Sequence, residues 1–81
     1  MMTPTIHSNG TSREALFNQY CNANLAIEAA LDAMIAAAPH GRDYYLQGPD
    51  AFAQAQDEHT QAIKAINDLA KRYVALAKHC L

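Results

Sequence analysis

Two long runs of this chain repeat their apolar residues at alternating steps of three and four, a spacing that a helix satisfies and a strand does not. In the first run the stripe is Leu16, Tyr20, Ala23, Ile27, Ala30, Met34 and Ala37. The second keeps the rhythm from residue 52 to residue 80, through Phe52, Ala55, His59, Ala62, Ile66, Leu69, Tyr73, Leu76 and Cys80. Between them lies a segment rich in helix breakers, Pro39-His40-Gly41-Arg42-Asp43-Tyr44-Tyr45-Leu46-Gln47-Gly48-Pro49. The chain is expected to be all-α, an antiparallel two-helix hairpin with helices at about residues 11–38 and 50–79 and a turn at 39–49. Thr11 followed by Glu14 fits a capping box at the first helix start. Pro39 ends that helix, and Pro49 with Asp50 as cap opens the second. Residues 1–10 hold Pro, Gly, Ser and Asn without helical rhythm and read as a short extended N-terminal arm anchored by Ile6. Each helix comes to about 40 Å, so the two match along their length.

Two helices have no third layer to cover the faces they turn away from each other. A second apolar row, Ile63, Ala70 and Ala77, lies beside the first on helix two, and Phe17, Leu25, Leu31 and Ile35 lie off the seam of helix one. Leaving several aliphatic side chains wet, at about 25 cal/mol per Å², forfeits free energy comparable to the stability of a small domain. Domains of this size bury only roughly 60% of their unfolded surface and are marginal alone. The two cysteines, Cys21 and Cys80, form no disulfide framework. A homo-oligomeric helical bundle is therefore expected, with any ligand site between chains or at the ends.

No apolar run reaches the roughly 18 residues of a membrane span, and the first residues lack the basic and apolar regions of a secretory signal, so a cytoplasmic location with free thiols is expected. A net charge of -2, from 6 basic and 8 acidic residues, leaves no basic face for duplex nucleic acid. Lys64, Lys71 and Lys78, spaced by sevens, line one stripe that is either a solvated outer face or an anion site completed on assembly.

Catalysis and metal binding find little support. The four histidines, His7, His40, His59 and His79, have no ligand spacing, and His59 on the second seam reads either as a packed or interfacial histidine or as a functional one lacking partners. There is no nucleophile elbow, phosphate-cradling glycine loop or dinucleotide fingerprint. Asp57 and Glu58, being adjacent, point to different faces. No enzyme activity, cofactor or metal is expected.

The turn is chemically richer. Arg42 offers a planar fork for phosphate or for stacking on a base, and Tyr44 and Tyr45 offer rings for nucleobases. The competing reading is structural, with Arg42 paired to Asp43 and the tyrosines plugging the hairpin end against Phe52. Asn9-Gly10-Thr11-Ser12 likewise opens a helix whose free NH groups either hold an anion or are simply capped.

Taken together, Asn9-Gly10-Thr11-Ser12, Leu16 and Tyr20, the Pro39-His40-Gly41-Arg42-Asp43-Tyr44-Tyr45 turn with Gly48-Pro49, and Glu58-His59 resemble the helical-hairpin domain of phage anti-CBASS and anti-Thoeris sponge proteins. The likeness runs from about residue 6 to residue 78, and the Gly-Arg-Asp-Tyr-Tyr turn is its most specific element. The resemblance implies a non-enzymatic protein, commonly a hexamer, that sequesters cyclic di- and trinucleotide immune signals in the host bacterial cytoplasm, with ligands between protomers. On that basis Arg42, Tyr44 and Tyr45 are the main candidate nucleotide-binding residues, joined by Tyr20, Thr11 and Ser12, with Lys64 and Arg72 as phosphate contacts from a neighbouring protomer. This chain lacks the further C-terminal segment of the anti-Thoeris members, which favours cyclic di- and trinucleotides over cyclic ADP-ribose-type signals. The alternative class is a helical adaptor or structural phage protein that binds another protein through exposed helix faces.

Overall fold

The computed structural model covers Met1 to Leu81 and is all-helical, with α1 (Arg13–Ala36) and α2 (Ala51–His79) packed against each other as a hairpin. The result is a rod of 61 × 20 × 16 Å.

Helix α1 begins one residue later than the Thr11–Glu14 box predicts. Ser12 is in extended conformation, and its hydroxyl accepts from the Ala15 amide at 3.1 Å, satisfying one of the free NH groups of the first turn. Glu14 still places a carboxylate in that turn, where the helix dipole favours it. At the other end the Ala37 amide is shared between the Ala33 and Met34 carbonyls, both at 3.1 Å, a tightening that Pro39 then makes final.

The connection is more regular than a loop. Two single-turn 3-10 helices, Gly41–Asp43 and Tyr45–Gln47, follow each other, closed by Tyr44 NH to Gly41 O and Gln47 NH to Tyr44 O, both at 3.0 Å. Gly48 then reverses the chain at φ 113 and ψ 169, a conformation essentially reserved for glycine. Asp50 caps α2 through its backbone alone: its carbonyl receives the Gln54 amide at 3.0 Å, and its side chain makes no capping bond.

The inner faces also depart from the expected seam. Leu16, Tyr20, Ala23, Ile27 and Met34 are half-buried as predicted, but Leu31 and Ala38 replace Ala30 and Ala37, which are exposed. On α2, Phe52, Ala55, His59, Ile66 and Tyr73 keep their places while Ile63 and Ala70 displace Ala62 and Leu69, the latter left 51% exposed. A straight helix drifts about 20° per heptad against a strict seven-residue repeat. At some turns the inward position therefore falls one residue later, while Tyr73, Leu76 and Cys80 stay on the expected seam.

Very little is fully enclosed. Leu76 and Cys80 alone are buried, at 4% and 3% exposure, both at the end where α2 finishes beside the start of α1. Tyr20 and Tyr73 meet across the hairpin with ring centroids 6.4 Å apart. The polar side-chain bonds along the helices, Asn24 to Glu28, Gln54 to Glu58 and Gln61 to Asp57, each join residues four apart on one helix. Apolar packing thus holds α1 to α2. The arm folds back to this closed end, where His79 Nε2 donates to the Pro4 carbonyl at 2.8 Å and Arg13 donates to the Leu81 main-chain oxygen at 3.4 Å.

Candidate functional site

The candidate residues do not converge within one chain. Thr11 and Ser12 stand at the start of α1 and the tyrosine turn lies beyond its end, so 24 residues of helix, about 36 Å, separate the two groups. Ser12 already spends its hydroxyl on the cap. Tyr20 is half-buried and turned onto Tyr73. Lys64 and Arg72 are exposed on α2, well away from the turn. Lys71, in the same basic stripe, approaches Asp68 at 4.0 Å with both side chains largely in water, a pair of little energetic consequence.

Only the turn assembles a site. Tyr44 is half-buried, its ring tilted 33° against Phe52 with centroids 6.3 Å apart, the packing role that was one of the two readings. Tyr45 behaves differently, at 70% exposure. Between them opens a hollow of about 520 Å³ lined by Gly41, Tyr44, Tyr45, Gly48, Pro49 and Phe52. Arg42 sits beside Gly41 in the same 3-10 turn, exposed and free of any ion pair, since Lys71 with Asp68 is the single salt bridge of the molecule. The expected local pairing of Arg42 with Asp43 is absent. A planar cation and an uncovered aromatic ring carried by one short turn are the groups that hold an aromatic ligand bearing a phosphate or carboxylate.

Two features escaped the sequence reading. Leu46 follows Tyr45 at the tip and is 85% exposed, and an aliphatic residue inside a turn was the available sign. The second is an apolar groove of about 330 Å³ along the side of the hairpin near its closed end, walled by Phe17 and Leu25 of α1 and Val74 and Ala77 of α2. Phe17 and Leu25 stood out as off-seam residues, but only packing reveals that Val74 faces them. No three of the His, Cys, Asp and Glu side chains cluster as metal ligands do, and no helix is long and apolar enough to cross a membrane. No protein-family model matches the chain, and comparison with curated proteins and with solved structures gave no match.

Proposed function

We propose that this chain is a phage anti-defence sponge of the anti-CBASS type: a homo-oligomer, a hexamer on the resemblance, that binds cyclic di- and trinucleotide signals in the bacterial cytoplasm and releases them unchanged. The observation that carries the reading is the uncovered ring of Tyr45 lining the hollow at the hairpin tip, with Arg42 exposed and free of any ion pair in the same turn. Stacking on Tyr45 holds a base, and the fork of Arg42 holds a phosphate. Phe52, through Tyr44, keeps the floor of the hollow in place. Tyr20, Thr11, Ser12, Lys64 and Arg72 join such a site only from a neighbouring protomer.

Titration calorimetry against a panel of cyclic di- and trinucleotides tests it. Saturable binding at a defined fraction of a site per chain, weakened by Arg42→Ala with unchanged assembly mass, is the expected result. The adaptor reading draws on the same tip, because Tyr45 and Leu46 side by side present an apolar surface to a protein. Silence across the panel favours that reading.

A further inference from the structure

Next to the hollow that Tyr45 lines, and meeting it at Tyr44, lies a second hollow of about 210 Å³, lined by Tyr44, Gln47, Ala51, Gln54, Ala55 and Glu58. Ala51, Gln54, Ala55 and Glu58 fall at i, i+3, i+4 and i+7 from the start of α2, so they share one helix face. The alanines keep that face low. Gln54 Nε2 donates to Glu58 Oε1 at 3.2 Å and steadies the carboxylate. Gln47, at the end of the second 3-10 turn, enters none of the side-chain hydrogen bonds of the chain, so its amide is open to a ligand. Tyr44, packed on Phe52, stands where the two hollows meet.

The polar groups of this second hollow select what it can hold. Glu58 is the sole charged side chain lining it, and no cation there offsets the charge. A carboxylate accepts hydrogen bonds and donates none, so this hollow repels a phosphate and suits a group with N–H donors. Two oxygens side by side match two donors side by side. Among the nucleobases guanine presents that pattern on its Watson–Crick edge, N1–H beside the N2 amino group, with the O6 acceptor next in line for a glutamine amide. Adenine places its N1 acceptor beside its one amino group, and the pyrimidine edges likewise set an acceptor next to each donor. Either arrangement turns a lone pair onto the carboxylate, which is costly.

We propose that Glu58, steadied by Gln54 and joined by Gln47, reads the Watson–Crick edge of a guanine, while a second base of the same cyclic dinucleotide stacks on Tyr45. Two hollows that meet at one residue can take the two bases of one ligand. The inference rests on the nucleotide-binding part of the proposed function and deepens it by naming the residue that chooses the base.

Titration calorimetry of the full chain with cyclic di-GMP, cyclic di-AMP and cyclic di-IMP tests it, since the three share one ring of sugars and phosphates and differ only at the base edge. Cyclic di-GMP should bind about 5- to 150-fold more tightly than cyclic di-AMP, the discrimination of one bidentate pair. Cyclic di-IMP, which lacks the N2 amino group, should fall between them. Glu58→Gln should erase the preference by weakening cyclic di-GMP alone, because the amide sets a donor against a donor. Glu58 is exposed, so helical circular dichroism should persist in that variant. Asp57→Asn is the control: it removes the same charge from a neighbouring carboxylate that bonds Gln61 and does not line the hollow, so the preference should stay. Equal affinity for the three ligands, cyclic di-IMP bound as tightly as cyclic di-GMP, or an unchanged preference in Glu58→Gln overturns the guanine reader and leaves sequestration standing. Binding of cyclic tri-adenylate alone does the same. No binding of any cyclic nucleotide removes both.

Discussion

Gly48 offers the sharpest test of how the hairpin reverses direction, because at this position backbone strain can be separated from steric crowding. Its φ of 113 and ψ of 169 lie where a Cβ is strongly disfavoured. A Cβ built there meets no atom within 4 Å, so Gly48→Ala adds no clash and its whole cost is conformational. Such strain is worth about 1–3 kcal/mol, and for a domain of this size each kcal/mol moves Tm by about 4–8 °C. The expected fall is therefore roughly 5–20 °C. Gly41→Ala in the same connection is the control: its φ is not positive, and its Cβ reaches the Phe52 ring at an ordinary 3.7 Å. That change should be neutral or stabilising by about 0.4–1 kcal/mol, through lower entropy of the unfolded chain. Thermal melts followed by circular dichroism at one fixed protein concentration provide the comparison, concentration being held because assembly shifts Tm by mass action. D-alanine at position 48, introduced by chemical synthesis, should recover the lost stability, since for the mirror residue this is ordinary extended backbone. Equal shifts for the two alanine variants, or no recovery with D-alanine, would show that backbone strain at Gly48 is not the cause.

Other expectations follow from the caps, the core and the tip. Ser12→Ala should cost about 0.5–2 kcal/mol in urea unfolding, whereas Thr11→Ala should be close to silent, because Ser12 alone caps α1. Leu76→Ala, removing one of only two buried side chains, should cost about 2–5 kcal/mol and lower the urea midpoint accordingly. Tyr45→Ala should leave Tm nearly unchanged while weakening any cyclic dinucleotide binding in calorimetry by about 1–3 kcal/mol, the value of one stacked base. Tyr44→Ala, which strips a ring from Phe52, should instead lower Tm.

Helix identity, order and length were legible in the chain because three-four spacing persists over both runs and Pro39 and Pro49 bracket the break. Register was less so. Whether Ala30 or Leu31, and Leu69 or Ala70, faces inward depends on a drift that accumulates slowly along a straight helix, and a fixed seven-residue template does not carry it. At the first cap, Thr11 and Ser12 are both good candidates, and only the reach of a hydroxyl to the Ala15 amide separates them. The turn announced itself by composition, yet the opposite fates of neighbouring Tyr44 and Tyr45 follow from the 3-10 geometry that directs one ring to Phe52 and leaves the other in water. The distance between Thr11 and the turn was implicit in the helix length. The side groove was not, because it exists only where α1 and α2 leave Asn24 between them.

Two helices that fully bury only Leu76 and Cys80 leave most of their apolar side chains in contact with water, and the proposed assembly would cover them. A native mass spectrum of the intact chain at low micromolar concentration, recorded alone and with a cyclic trinucleotide, tests this most directly. The expected spectrum shows a defined multiple of 8.8 kDa, with bound ligand at a fixed fraction per chain. A folded single chain of 8.8 kDa in both spectra would rule out the proposed assembly.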